Sequence, residues 1–266
     1  MRKLHFTSFY KMDKLLVIKA GGKLLEDAPR WKSLLKELSA LPHPFILVHG
    51  GGNRASQVTE ALGGTPRMVD GRRITTNLDL EVAVMVYAGW MNKQLVAHLQ
   101  ACGRTAIGLS GADGNSILSE KRPVAEHDFG WVGDVKTVNT SFINQLLSGG
   151  FTPVCCAITH DGNGQLLNTN ADTIAARVAM AMTSDFEVSL TYLFEKAGVL
   201  ADDKDDTSVF SVLNQSMYEE GKNSGQFHSG MLPKLQTAFE ALDGGVAQVR
   251  ISQPENWKLG GTIIKQ

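Results

Sequence analysis

Four short stretches carry residues whose types could handle a phosphate-like anion. Lys19 closes a run over 15–19 that leads into Ala20-Gly21-Gly22, and a second run over 45–48 ends in His49-Gly50-Gly51-Gly52. Glycines after a strand let the backbone come close to a ligand, and the N–H groups at the start of the next helix attract an oxyanion. Lys234 follows Ser229-Gly230-Met231-Leu232-Pro233 at a helix start, where a cation opposes the helix dipole unless an anionic partner answers it. Asp172, in Asn168-Thr169-Asn170-Ala171-Asp172, opens another helix, where an acid complements the dipole. Taken singly, each has an ordinary structural reading: a tight connection, a solvated strand-end charge, a first-turn acid.

The standard phosphate signatures are absent. Val17 stands where a P-loop needs its first glycine, five residues before Gly22-Lys23, and no G-x-G-x-x-G occurs. Without G-x-S-x-G, H-E-x-x-H or paired cysteines, a hydrolase triad and a zinc site are equally unsupported.

An α/β scaffold must position these residues. The run over 15–19 leads into an amphipathic helix over 23–41, and the run over 45–48 leads into a second helix over 53–62. Two successive strand-glycine-helix units imply a parallel sheet, because parallel strands need crossover connections. The pattern then predicts a long helix over 76–101, a strand over 104–109, surface ribbons near 116–118 and 131–138, a helix over 141–147 and a strand over 152–157. After the turn Asp161-Gly162-Asn163-Gly164 comes a helix over 170–182, with a lobe boundary near 160–185. A strand over 186–191, an irregular acidic segment over 192–206, helices near 215–222 and 230–242, and strands over 247–251 and 262–265 complete the chain. The run Asp202-Asp203-Lys204-Asp205-Asp206 reads as a solvated loop rather than a metal site.

Composition narrows the function classes. In 266 residues, 26 Lys+Arg against 27 Asp+Glu leave a net charge of −1, which gives no basic footprint for nucleic acid. With 43% hydrophobic and 20% charged residues the chain can bury a sizeable core. Cys102, Cys155 and Cys156 make no disulfide framework, so a reducing, cytoplasmic compartment is expected. The longest apolar stretch, 82–91, is far shorter than a membrane span, and the N-terminus has no signal-peptide core; translation starts at Met1 or Met12.

Read together, VIKAGGKLL, VHGGGN, DGRRIT, LSGADGN, LLNTNADTIAA and SGMLPKLQTAFEAL, in this order, resemble the N-acetylglutamate kinases of the amino acid kinase family. The resemblance runs from 15 to 265, and NTNAD and GMLPK with HGGG upstream set this group apart from carbamate, uridylate and aspartate kinases. It implies a three-layer αβα sandwich around an open, mainly parallel eight-stranded sheet. Residues 1–170 would form an N-terminal lobe for acyl-glutamate binding and dimerisation, and 171–266 an ATP lobe. It further implies transfer of the γ-phosphoryl of ATP, with Mg2+, to the side-chain carboxylate of an N-acylated glutamate, the second step of arginine synthesis, by a homodimer.

By the same resemblance, Lys19 and Lys234 match the two catalytic lysines and Asp172 the aspartate that holds both by ion pairing. The N–H groups of Gly21, Gly22 and Gly51 would line the phosphoryl path. Gly51, Gly52, Arg73 and Asn168 would bind the acyl-glutamate, with the planar fork of Arg73 on its α-carboxylate; Arg72 reads as a surface charge. Tyr192, Gly198, Val199, Leu200, Phe227 and His228 are the candidate nucleotide contacts.

Some positions depart from the family pattern. Thr191-Tyr192-Leu193-Phe194-Glu195-Lys196-Ala197-Gly198-Val199-Leu200 replaces a shorter Thr-Asp-Val-x-Gly-Val-Leu loop, and Asn53 stands where proline is frequent. With Lys23 and Arg54 nearby, an acyl group larger or more anionic than acetyl, such as succinyl, is the alternative substrate. Arginine-inhibited members carry a longer N-terminal helix that links dimers into hexamers; with only about a dozen residues before the first strand, a dimer unresponsive to arginine is expected. The apolar stretch over 81–91, with Tyr87 and Trp90, is either a dimer face or core. Competing readings are another amino acid kinase, a catalytically silent ligand sensor on this scaffold, and a nicotinamide oxidoreductase, the last opposed by the missing G-x-G-x-x-G.

Overall fold

The computed structural model describes residues 13–69, 72–227 and 230–266. The choice between Met1 and Met12, Asp70 with Gly71, and His228 with Ser229 lie outside the described residues.

The first half begins β1 (Lys14–Ala20), α1 (Gly22–Glu26), α2 (Ala28–Ser39), β2 (Phe45–His49), α3 (Gly52–Ala61) and a hairpin of β3 (Arg67–Val69) and β4 (Arg72–Ile74). A continuous helix follows as α4 (Asn77–Ala83), a π-helical segment (Val84–Met91) and α5 (Asn92–Ala101), then β5 (Ala106–Leu109), β6 (Ile117–Lys121), β7 (Val132–Val138), α6 (Thr140–Ser148) and β8 (Thr152–Cys156). Next come β9 (Ile158–His160), β10 (Leu166–Thr169), α7 (Ala171–Ala181), β11 (Glu187–Leu193), β12 (Val212–Leu213), α8 (Gln215–Asn223), α9 (Leu232–Asp243), β13 (Gln248–Ser252) and β14 (Thr262–Ile264).

The main sheet has eight strands in the order β12-β14-β13-β11-β1-β2-β8-β5, and only β13 with β14 is antiparallel. The expected mainly parallel α/β sheet is what forms. β2 is buried along its whole length and β1 beyond its first residue, as central strands covered by helices on both faces must be. Alternation sorts the faces. Leu15 and Val17 join the core that contains α7 and α9, while Leu16, Ile18 and Ala20 join the core of Trp31, Leu34, Leu38, Leu95 and Leu99 on the other side.

This period of two places Lys19 on the α7 side. Connections leave β1 toward β2 on one side while β11 returns on the other, so the chain reverses direction of travel between β1 and β11. Ligands of open α/β sheets bind outside the carboxyl ends at such a point.

The expected helix over 23–41 is two helices. Asp27 accepts a hydrogen bond from the Arg30 N–H at 3.2 Å and Pro29 sits in the first turn, which together start a new helix. The expected surface ribbons are instead half of a closed four-stranded barrel, β10-β7-β6-β9, with Ile117, Ser119, Val132, Ile158 and Leu167 buried. Pairing of β6 with β9 and of β7 with β10 joins segments far apart in sequence, which local alternation cannot reveal. The long helix over 76–101 forms with a Thr76–Asp79 capping box, and it changes sides: Val82, Val86, Tyr87 and Met91 pack in one core, Leu95 and Leu99 in the other.

Candidate active site

Two clefts open at the carboxyl ends of the central strands. One is lined by Lys19, Gly22, Gly50 to Gly52, Ser56, Arg73, Asn168 and Asp172. The other is lined by Phe194, Glu195, Gly198 to Leu200, Phe227, Gly230 and Lys234. They meet at one carboxylate. Asp172 Oδ1 lies 2.8 Å from Lys19 Nζ and its Oδ2 lies 3.9 Å from Lys234 Nζ.

Each member of this triad is placed by a different element. Lys19 is the second-to-last residue of β1 and is 8% exposed. Asn170 caps α7, its side-chain oxygen accepting from the N–H groups of Asp172 and Thr173 at 2.8 and 3.1 Å, so Asp172 falls in the first turn and faces the lysines. Lys234 rides on the first turn of α9, two residues after Leu232. Burial pushes the Asp172 carboxyl up, but the charges of Lys19 and Lys234 and the Lys19 hydrogen bond outweigh it and hold the carboxyl below its ordinary value. Asp172 is therefore a charged group at neutral pH that fixes two cations on either side of it.

The glycine turns meet beside the triad. A side chain on Gly22 would begin 3.9 Å from the Gly52 nitrogen. A Cβ on Gly51 would fall 2.8 Å from Tyr87 Cδ1 and against Met91 Sδ, so the turn lies flat on the long helix only because that residue is glycine. Gly21 has another task than the one expected of it. Its N–H donates to the Leu193 carbonyl at 2.8 Å, and a Cβ there would meet that oxygen at 2.9 Å. Gly21 thus joins the end of β1 to β11 and has no N–H left for a phosphoryl oxygen.

Arg73 arrives on β4, which pairs antiparallel with β3. Its guanidinium donates to the Gly52 carbonyl at 2.8 Å and to Ser56 Oγ at 2.6 Å, and Nη1 stands 3.6 Å from Asp79 Oδ1 without a hydrogen bond. Arg73 lines the cleft wall, and a planar guanidinium is the group that grips a carboxylate with two parallel hydrogen bonds. Asn168 donates from Nδ2 to Thr75 Oγ1 at 3.0 Å and is carried by β10 of the barrel. Arg72, expected as a surface charge, lines the same cleft, as does Arg122, which pairs with Asp134. Nothing in the residues around Arg72 or Arg122 marks either one for the cleft.

Gly198, Val199, Leu200 and Phe227 line the second cleft, and His228 lies outside the described residues. Tyr192 does not belong to its lining. It pairs in register with Lys19 on the adjacent strand, is 1% exposed, and its hydroxyl donates to the Asp172 carbonyl at 3.4 Å and contacts Thr237 Oγ1 at 3.3 Å. Burial and the nearby Asp172 charge push its phenol above the ordinary tyrosine value. Tyr192 supports the floor beneath Asp172 rather than a nucleotide. At the rim, Lys23 and Glu195 form a 3.0 Å ion pair.

Among the described residues no group of three His, Cys, Asp or Glu side chains could hold a metal ion. Nor is any helix among them long and apolar enough to cross a membrane.

Along most of its length this chain is similar to known proteins. The profile of the amino acid kinase family matches residues 14–253. An acetylglutamate kinase of Phocaeicola vulgatus is 48% identical over 255 residues, spanning 96% of this chain and 99% of the relative. An acetylglutamate kinase of Cytophaga hutchinsonii is 48% identical over 246 residues, spanning 92% and 93%. Among solved structures, smu.665 from Streptococcus mutans UA159 superposes with a TM-score of 0.81 at 25% identity, covering 94% of this chain and 98% of that one.

Proposed function

This chain belongs to the amino acid kinase family, and we propose that its paired clefts transfer the γ-phosphoryl of ATP to the side-chain carboxylate of N-acetyl-L-glutamate, the step that makes an acyl phosphate in arginine biosynthesis. The observation that carries this reading is the bridge Lys19–Asp172–Lys234 at the junction of the two clefts.

The chemistry needs little else. A glutamate side-chain carboxylate has an ordinary pKa of about 4.3 and is already an ionised nucleophile at neutral pH, so no general base is required. Its oxygen forms a bond to the γ-phosphorus as the bond to the β-bridging oxygen breaks, and the electron pair leaves with ADP. Positioning and charge neutralisation then do the catalysis. Lys19 serves the transferring phosphoryl from the acyl-glutamate side and Lys234 from the nucleotide side. Asp172 keeps both cations within reach of one another's territory despite their repulsion. Gly22 and Gly51 offer backbone N–H groups along the path, and Arg73 and Asn168 hold the α-carboxylate and the acyl amide. The first cleft draws its lining from 19–172 and the second mainly from 194–234, which supports an acyl-glutamate lobe over 1–170 and an ATP lobe over 171–266.

Magnesium enters with ATP as part of the substrate. Among the described residues the carboxylates lining the nucleotide cleft, Glu195 and Asp203, are separate rim groups, a donor set that suits an ion held by phosphates and water. The free cysteines Cys102, Cys155 and Cys156 support a reducing, cytoplasmic setting for this reaction. The enzyme acts as a homodimer in which Met85 and Trp90, 52% and 61% exposed on the long helix, meet a second copy. Light scattering should give twice the chain mass; a hexamer would contradict that assembly.

A second reading of the acyl group rests on Arg72 and Arg122, two further cations on the wall of the acyl-glutamate cleft. They favour an additional carboxylate, as in N-succinylglutamate. The test is ADP release with Mg-ATP and N-acetylglutamate, N-succinylglutamate, glutamate or aspartate, with hydroxylamine trapping of the acyl phosphate. Turnover of glutamate or aspartate at rates equal to the acylated forms would refute the main reading, and turnover of the acetyl form alone would refute the second.

A further inference from the structure

We propose that Asn92 is a positioning residue for phosphoryl transfer, acting through His49 to fix the peptide between Gly50 and Gly51. This rests on the kinase reading above.

His49 is wholly buried at the end of β2, on the opposite face from Val48. Its Nδ1 lies 2.9 Å from the Gly50 carbonyl and its Nε2 lies 3.1 Å from Asn92 Nδ2. A carbonyl can only accept, so Nδ1 carries the proton, and Nε2 must accept from the Asn92 amide. One neutral tautomer is thereby selected. The second proton of the Asn92 amide goes to the Val154 carbonyl at 2.8 Å, and Asn92 Oδ1 accepts from Lys93 Nζ at 3.1 Å. The amide has no freedom to flip, because its nitrogen faces two acceptors and its oxygen faces a cation. Nor is there room to shift: a Cβ on Gly108 would collide with Asn92 Oδ1, so strand β5 passes against the amide with nothing between them.

The consequence reaches the site through peptide planarity. In a trans peptide the C=O and N–H point in opposite directions. Holding the Gly50 carbonyl onto the imidazole turns the Gly51 N–H away from it, on a turn whose three glycines line the acyl-glutamate cleft. The other side of Gly51 is set by Tyr87 and Met91, the residues a Cβ there would strike. Asn92 and these two side chains stand within six residues of each other where the π-helical segment ends and α5 begins. An extra residue per turn re-aims a helix face, and such segments recur at functional sites. Here it lets one helix press Tyr87 and Met91 on the glycine turn from one core and hold its carbonyl through Asn92 and His49 from the other.

The test compares Asn92→Ala and the milder Asn92→Ser with Leu99→Ala, a buried apolar residue of the same helix remote from the turn. With N-acetylglutamate and Mg-ATP, misplacing a transition-state donor should lower kcat ten- to a hundredfold in both Asn92 variants, with both KM values within about threefold of wild type. Leu99→Ala should lose stability in urea and keep its kcat. An Asn92 variant with kcat within twofold of wild type, or a Leu99→Ala variant with the same kcat loss, would overturn the assignment. Absence of turnover in the wild-type chain would overturn the kinase reading itself, and is separately visible.

Discussion

Replacing Asp172 by Asn keeps shape and removes one charge from the centre of the proposed site. At 2.8 and 3.9 Å, in an effective dielectric of about 20, the carboxylate attracts Lys19 by about 6 kcal/mol and Lys234 by about 4 kcal/mol before desolvation is counted. Desolvation of three largely buried charges cancels much of that, and removing one partner of such a group costs about 3–5 kcal/mol because the remaining cation is left uncompensated. The neutral amide would leave Lys19, 8% exposed, beside Lys234 with no anion between them. The lysines should separate, and loss of preorganised charge at the transferring phosphoryl should lower kcat by about 10²–10³-fold. Urea denaturation measures the stability and hydroxamate formation measures the turnover, the latter at saturating substrate so that binding is not limiting. A folded Asp172→Asn protein with kcat within threefold of wild type would refute the reasoning, since the bridge would then be structural only.

Other consequences concern the neighbours of the triad. Burial lowers the His49 pKa to about 4, so between pH 6.5 and 4 the unfolded chain binds a proton that the folded chain excludes. Stability should fall by about 3 kcal/mol as pH drops through that window, and His49→Gln should flatten the urea midpoint against pH; parallel curves would contradict it. Gly51→Ala should cost about 1–3 kcal/mol by overpacking against Tyr87 and Met91 and should lower kcat, measured by the same two assays. Tyr192→Phe removes the hydroxyl under Asp172 and should cost about 1 kcal/mol with the KM for ATP unchanged; a large rise in that KM would return Tyr192 to the nucleotide site.

What the sequence disclosed and what it hid follow from the range of the forces involved. Lys19, Gly22, the HGGG turn and Asp172 were legible because strand, glycine turn and helix start are set within a few neighbouring residues. Their convergence followed from parallel β1 and β2. The task of Gly21 was hidden, because the carbonyl that takes its N–H belongs to Leu193 across the sheet. The family resemblance sets Tyr192 at a nucleotide-loop position, yet the register beside Lys19 turns it into the floor under Asp172. The barrel that brings Asn168 and Arg122 to the cleft pairs strands dozens of residues apart, and no local pattern announces such pairing. Asn92 was hidden for a third reason: inside an apolar helix it resembles a tolerated polar residue until its amide is seen to complete the bonding of His49.

In the proposed transfer, two lysines tied by one aspartate act on the phosphoryl in flight between two clefts. Lys234 lines the nucleotide cleft and not the acyl-glutamate cleft, so Lys234→Ala separates binding from chemistry most directly. Calorimetric titration with N-acetylglutamate should give an affinity within about threefold of wild type while kcat falls at least about a hundredfold, the pattern of an interaction made in the transition state. A Lys234→Ala protein that keeps its turnover would contradict the account.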